Sequence, residues 1–220
     1  MGKTWVTGAL VRGLRGLGRR CWVHKPVACG GWDGATSEDG RTLALLAGDG
    51  QDPASICPRQ YPEPSSPHLA AALAGDRPCL ADLVAAARAV RGPADLVLET
   101  AGGLLSPLTA ARETVADLVQ ALAMPTLLVS VPDLGTLSHT ALTVAEARRR
   151  GIAVLGLVVV HVRPTVASVA VATAARELAE ICALPVLAEI AHTTGMFSDD
   201  AVSRALAGAV LARGHYAGRA

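Results

Sequence analysis

Five short stretches of the chain carry residue types whose spacing could do chemistry. Gly2-Lys3-Thr4 matches the last three positions of the phosphate-binding pattern Gly-x-x-x-x-Gly-Lys-[Ser/Thr]. In such a loop backbone N–H groups and a helix N-terminus face phosphate oxygens, the lysine neutralises charge, and the hydroxyl holds Mg²⁺. The alternative is a disordered N-terminus leading into a basic helix. In HKPVACGG (24–31), Lys25 stands where an apolar run ends, at the carboxyl edge of a sheet where α/β sites form. The alternative is a strand-end lysine in water. SEDG (37–40) precedes an apolar helix, so Asp39 is either a helix cap or a metal-facing carboxylate. LVLETAGGLLSPL (96–108) takes a buried run into Glu99 and then a glycine turn. An acid so placed suits an oxygen-rich Mg²⁺ shell, and equally a solvated turn. DLGTLSHT (133–140) opens a helix with several donors, and His139 there reads as a helix-start histidine before a catalyst.

These residues need elements to hold them. At 220 residues the chain fits one domain over 1–220, and 51% of it is hydrophobic with only 3% aromatic. A core of Val, Leu, Ala and Ile suits helices packed on a parallel sheet. Short, β-branched and mostly unbroken apolar runs at 21–28, 94–101, 125–131, 154–162 and 185–191 predict strands buried on both faces. Helical stretches are expected near 4–19, 68–75, 79–91, 113–123, 137–150, 166–182 and 199–213, and YPEPSSP (61–67) is expected as a surface loop. The alternation implies right-handed βαβ units. The expected fold is therefore α/β, a three-layer and mostly parallel sheet with helices on both faces. No strand precedes the first helix, so the N-terminal strand is expected to be missing and residue 1 not to be the true start. Net charge is +1, which gives no pull toward nucleic acid or a membrane surface. Five cysteines without a Cys-x-x-Cys pair read as reduced thiols. No apolar run reaches the roughly 20 residues of a membrane span, so a soluble cytoplasmic protein is expected.

Taken in order, GKT, KPV-x-x-G, the Asp before a helix, Ser66-Pro67-His68, E-x-AGG and LGT-x-x-HT-x-LT resemble dethiobiotin synthetase. The resemblance runs from residue 2 to residue 192. It implies a P-loop NTPase-like fold and a homodimer that closes the ureido ring of dethiobiotin in biotin biosynthesis. Its substrates are 7,8-diaminononanoate, CO₂ (or bicarbonate) and ATP with Mg²⁺, and the path runs through a carbamate and a carbamic-phosphoric anhydride. By the same resemblance Lys3 and Lys25 are catalytic, Lys3 on the transferring phosphoryl group and Lys25 on the carbamate and phosphate charge. Gly2 and Lys3 would contact the phosphate chain. Thr4, Asp39 and Glu99 match the Mg²⁺ ligands, and Gly102 lies in the turn lining the nucleotide and substrate cleft. Cys29 stands where the family has a Ser or Thr facing the substrate. Ser138 stands for an asparagine in a loop that reaches the substrate's carboxylate tail across the dimer.

The chain also departs from the pattern. Most of the phosphate loop ahead of Gly2 is absent, Thr100 replaces a glycine that follows the Mg²⁺ glutamate, and Ala191 replaces a proline. The adenine-reading asparagine falls on Val160, followed by His161. A second reading follows, in which the chain is a catalytically impaired or truncated relative acting as a binding or dimerisation module. Retention of Lys25, Asp39 and Glu99 favours the enzyme.

Overall fold

In the computed structural model the described residues are 2–47, 51–90, 94–164, 168–192 and 199–214. Met1 lies outside them, as do the ends of two expected helices at 91 and 166–167. The chain opens with α1 (Lys3–Gly16), β1 (Cys21–His24), β2 (Val27–Cys29), α2 (Glu38–Ala47), α3 (Pro53–Ile56) and β3 (Arg59–Tyr61). Next come α4 (Pro67–Leu73), α5 (Leu80–Ala89), β4 (Asp95–Leu98), α6 (Val115–Leu122) and β5 (Thr126–Ser130). It ends with α7 (Thr136–Arg149), β6 (Val154–Val160), α8 (Val169–Cys182), β7 (Val186–Ile190) and α9 (Asp200–Arg213). No helix among the described residues is long and apolar enough to cross a membrane.

The chain packs as two compact units, Met1–Leu17 with Met124–Ala220, and Gly18–Ala123. The strand ladders among the described residues are parallel, with isolated antiparallel bridges at Trp32–Ser37 and Pro107–Thr114, so the α/β class and strand sense match expectation. In the first unit β5, β6 and β7 form one sheet in that order. Strand side chains alternate between faces. Leu157 and Val159 therefore meet Val144 of α7 and Leu178 and Cys182 of α8 in one core. Val160 faces the other way and lies against Gly2 at the start of α1. On that side α9 packs on both α1 and β7, so helices cover both faces of this sheet. The approach of α1 to α9 is closest at Gly13, where an added Cβ would sit 2.0 Å from the Ser203 carbonyl oxygen.

In the second unit the apolar run 21–28 is two strands. Pro26 has no N–H to give a ladder, and the chain leaves β4 there. Residues Cys21 to His24 pair with Asp95 to Leu98, whereas Val27 to Cys29 pair with β3. On the other edge of β1 no strand is paired among the described residues. The Gln51 side-chain amide accepts from Val23 N at 2.9 Å and donates to Val23 O at 2.5 Å. Beyond it Lys25 N donates to Ile56 O at 2.7 Å. Strand β3 and helix α3 carry no periodic signal in three or four residues, and neither was expected. The loop at 62–66 is where expected, ending in Pro67 at the first turn of α4.

Candidate active site

Lys25 follows the last residue of β1, with its backbone held and its side chain only 5% exposed. A buried ammonium needs opposite charge and hydrogen-bond acceptors. Lys25 Nζ donates to Glu99 Oε1 at 2.8 Å and to Asp39 Oδ2 at 2.5 Å. Burial alone would depress its pKa; the carboxylates of Glu99 and Asp39 outweigh that and raise it. Lys25 is thus a fixed cation, and the solvated strand-end reading is excluded. With one ammonium between two carboxylates, the cluster is net negative.

Each carboxylate is positioned by local chemistry. Glu99 follows β4, its N–H bonded to His24 O at 2.8 Å, so the parallel pairing carries it level with Lys25. Its side chain is 2% exposed. Gly102 then turns with φ +77°, and a Cβ there would lie 2.3 Å from Ser106 Oγ, so only glycine fits. Thr100 keeps an ordinary φ, and the positive φ falls at Gly102 instead. Asp39 sits in the first turn of α2. The cap of that helix is Ser37, whose Oγ accepts from Gly40 N at 3.0 Å. Asp39 therefore faces Lys25 and leaves the capping to Ser37. Cys29 ends β2, half-buried, and burial pushes its thiol up to about 11 against the pull of Lys25. It is a neutral thiol at physiological pH, a weak stand-in for a hydroxyl.

His24, which no motif singled out, is fully buried beside Lys25. Its Nδ1 lies 2.9 Å from the Ser55 carbonyl, which can only accept, so Nδ1 carries the proton. Nε2 is buried with no hydrogen-bond partner. Burial lowers the His24 pKa, while the Ser55 bond works the other way. The unfolded chain takes up this proton near pH 6.5 and the folded chain does so only lower. Stability is thus fully present above that pH and falls as pH drops toward the folded value, by up to about 1.4 kcal/mol per unit. Urea midpoints at pH 7.5 and 5.5 should diverge less in His24→Gln than in the parent.

In the other unit Gly2 is the N-cap of α1 with φ 72°, and Lys3 and Thr4 open the helix, all three half-buried. A Cβ on Gly2 would meet Val160 Cγ1 at 2.8 Å. Val160 is thus engaged with backbone and, being apolar, offers no group to a base edge. Ser138 is exposed in the first turn of α7, after Gly135 caps it with φ 93°. His139 is exposed too, with its ring over Gly135. Of the expected site residues, then, Lys25, Asp39 and Glu99 share one contact set, with Cys29 in electrostatic reach of Lys25 and Asp39. Gly2, Lys3 and Thr4 share the start of α1.

Residues 1–196 match a family model described as an AAA domain. An ATP-dependent dethiobiotin synthetase from Anaeromyxobacter dehalogenans is 45% identical over 166 residues, 74% of this chain and 73% of its own. The chain belongs to the dethiobiotin synthetase family. The dethiobiotin synthetases of Ralstonia nicotianae and Caulobacter sp. are each 40% identical, over 71% and 72% of this chain and 69% and 70% of theirs. Among solved structures, a ParA family ATPase from Chlorobium tepidum aligns over 94% of this chain and 83% of its own, with 11% identity and a TM-score of 0.48. Family membership turns the expected roles of the clustered residues into specific chemical questions.

Proposed function

We propose that the chain catalyses ATP- and Mg²⁺-dependent closure of 7,8-diaminononanoate with CO₂ to dethiobiotin. The observation that carries this reading is the Lys25 ammonium fixed between Glu99 and Asp39. One amine takes up CO₂ as a carbamate, whose oxygen attacks the γ-phosphorus and releases ADP. The second amine attacks the carbonyl of the resulting carbamic-phosphoric anhydride, forming the ureido ring and expelling phosphate. Positioning and charge neutralisation supply most of the rate in such transfers.

Among the described residues no three His, Cys, Asp or Glu side chains gather as a metal cage. Two carboxylates with a surplus negative charge nevertheless suit Mg²⁺, which completes its shell from phosphate oxygens and water. When bound, Mg²⁺ would neutralise phosphate charge. Thr4, Asp39 and Glu99 are assigned to hold it, and Lys3 and Gly2 to meet the phosphate chain. Lys25 would stabilise the carbamate and the developing phosphate charge, its ammonium held in place by the two acids. Gly102 would let backbone approach the nucleotide, and Cys29 and Ser138 would contact the substrate. Free thiols at all five cysteines support a cytoplasmic setting.

The decisive assay is phosphate release with MgATP, bicarbonate and 7,8-diaminononanoate. Release that needs all three supports the reading. A folded, dimeric but silent protein would overturn it in favour of the binding or dimerisation module. The homodimer belongs to the same reading. Leu134 is 95% exposed ahead of α7, Leu142 67% on it, and Val169 81% at the start of α8. Large apolar side chains left in water suggest a partner surface. Leu134→Asp should shift the protein to monomer in sedimentation at micromolar concentration; an unchanged dimer would remove this loop from the interface.

A further inference from the structure

We infer that Gln60 is a positioning residue that sets Asp39 against Lys25, and so governs divalent-cation binding; the inference rests on the metal role given to Asp39 above. Gln60 lies mid-strand in β3, and its Oε1 accepts three hydrogen bonds. They come from Thr36 Oγ1 at 2.8 Å, Ser37 N at 2.7 Å and Ser37 Oγ at 2.7 Å. Its Nε2 donates to Cys57 O at 3.0 Å, which fixes the amide's orientation. Ser37 is fully buried and caps α2 through the same hydroxyl. Asp39 is two residues further on, with its Oδ2 on Lys25 Nζ at 2.5 Å.

One amide oxygen thus joins the Glu38 N to Gly31 O bond (2.8 Å) in registering the start of α2, and the fit leaves no slack. A Cβ on Gly40 would lie 2.5 Å from Gln60 Oε1 and 3.1 Å from Ser37 Oγ. The strand that carries Gln60 is itself tied to β2 by parallel pairing, with Gln60 opposite Ala28. Lys25 is anchored from the same stretch of chain through the Ile56 carbonyl. Residues 56–60 therefore hold both partners of the Lys25–Asp39 contact, one through a backbone carbonyl and the other through the Gln60 amide. Without that amide, three donors at the helix start lose their acceptor, and the first turn of α2 keeps weaker anchorage through Glu38 N to Gly31 O at 2.8 Å and Arg41 to Thr36 O at 2.9 Å. A misplacement of about 1 Å at a reacting site can cost on the order of 10²-fold in rate.

The test is a double-mutant cycle read by Mn²⁺ binding in the presence of ADP, followed by electron paramagnetic resonance on the full chain. Gln60→Ala should weaken Mn²⁺ binding about tenfold, and Asp39→Asn at least as much. In the Asp39→Asn background Gln60→Ala should add less than twofold. Gln60→Glu keeps an accepting oxygen at the same reach but loses the donor to Cys57 O, so it should recover part of the loss and bind Mn²⁺ more tightly than Gln60→Ala. Urea midpoints decide whether Gln60→Ala is folded; if it is not, Gln60→Glu against Gln60→Met carries the comparison. A full Gln60→Ala effect in the Asp39→Asn background, or unchanged Mn²⁺ binding in Gln60→Ala, overturns the inference while leaving the metal reading intact. A parent chain that takes up no Mn²⁺ with ADP sinks the metal reading, and this inference with it.

Discussion

Lys25→Met should lower phosphate release by about 10²–10³-fold, the usual effect of removing one preorganised charge from a transfer site. The same change should destabilise the fold. Glu99 is 2% exposed and Asp39 37%, so removing the ammonium strands one carboxylate in the interior and leaves another half in water. Breaking a buried ion pair on one side typically costs about 3–5 kcal/mol, and the exposure of Asp39 puts this case at the lower end. Activity and stability losses can be separated. Lys25→Met combined with Glu99→Gln removes the stranded charge, so the urea midpoint should recover most of the way while phosphate release stays low. A single variant that keeps its turnover would end the catalytic assignment. A double variant no more stable than the single one would show that the buried charge is not what destabilises it.

Gly13→Ala should be among the most damaging small substitutions in the chain. In the interior of an isolated helix alanine is favoured over glycine by about 1 kcal/mol. Here the new methyl would lie 2.0 Å from Ser203 O, 2.6 Å from Ser203 C and 2.8 Å from Ala207 Cβ. Two of those atoms are helix backbone, which cannot swing aside, so α1 and α9 must separate. The ion pair between them, Arg12 to Asp200 at 3.1 Å, is exposed and adds little to hold them. Overpacking of this kind costs roughly 2–3 kcal/mol, or on the order of 5–10 °C in Tm for a chain of this size. Gly208 in α9 is the control, because a Cβ there meets nothing within 4 Å. Gly208→Ala should stabilise by about 0.5–1 kcal/mol. Opposite signs in thermal unfolding confirm the packing argument; equal effects defeat it.

The two variants also mark what a sequence can and cannot carry. Both glycines look alike in the chain, and only the partner helix tells them apart. The β6 strand was legible because its run of Val and Leu is broken only by Gly156, as burial on both faces requires, whereas β7 kept an apolar run despite Glu189 and is buried fully only at Ile190. The helices from α4 to α9 were legible from spacing, and Lys25, Asp39 and Glu99 from their places at strand ends or ahead of a helix. What their order along the chain could not convey was that two acids meet one ammonium, since contacts across 14 and 74 residues depend on register. Gln60, Gln51 and His24 were invisible for a related reason. Glutamine and histidine have no fixed signature, and each does its work by a hydrogen bond 23 to 31 residues away. The split at Pro26 could have been read from the missing N–H alone.

The Gln51 amide has a meaning for how this protein avoids its own kind. A strand edge with free N–H and C=O groups is a template on which another copy can pair, and natural sheets guard such edges. At Val23 the guard is a side chain that copies the donor and acceptor of a peptide unit. It satisfies the edge as a neighbouring strand would, yet offers no further strand to be extended. At Val23 the sheet is closed to propagation by one side chain, and a Gln51→Ala chain would open that part of β1 to edge-to-edge pairing.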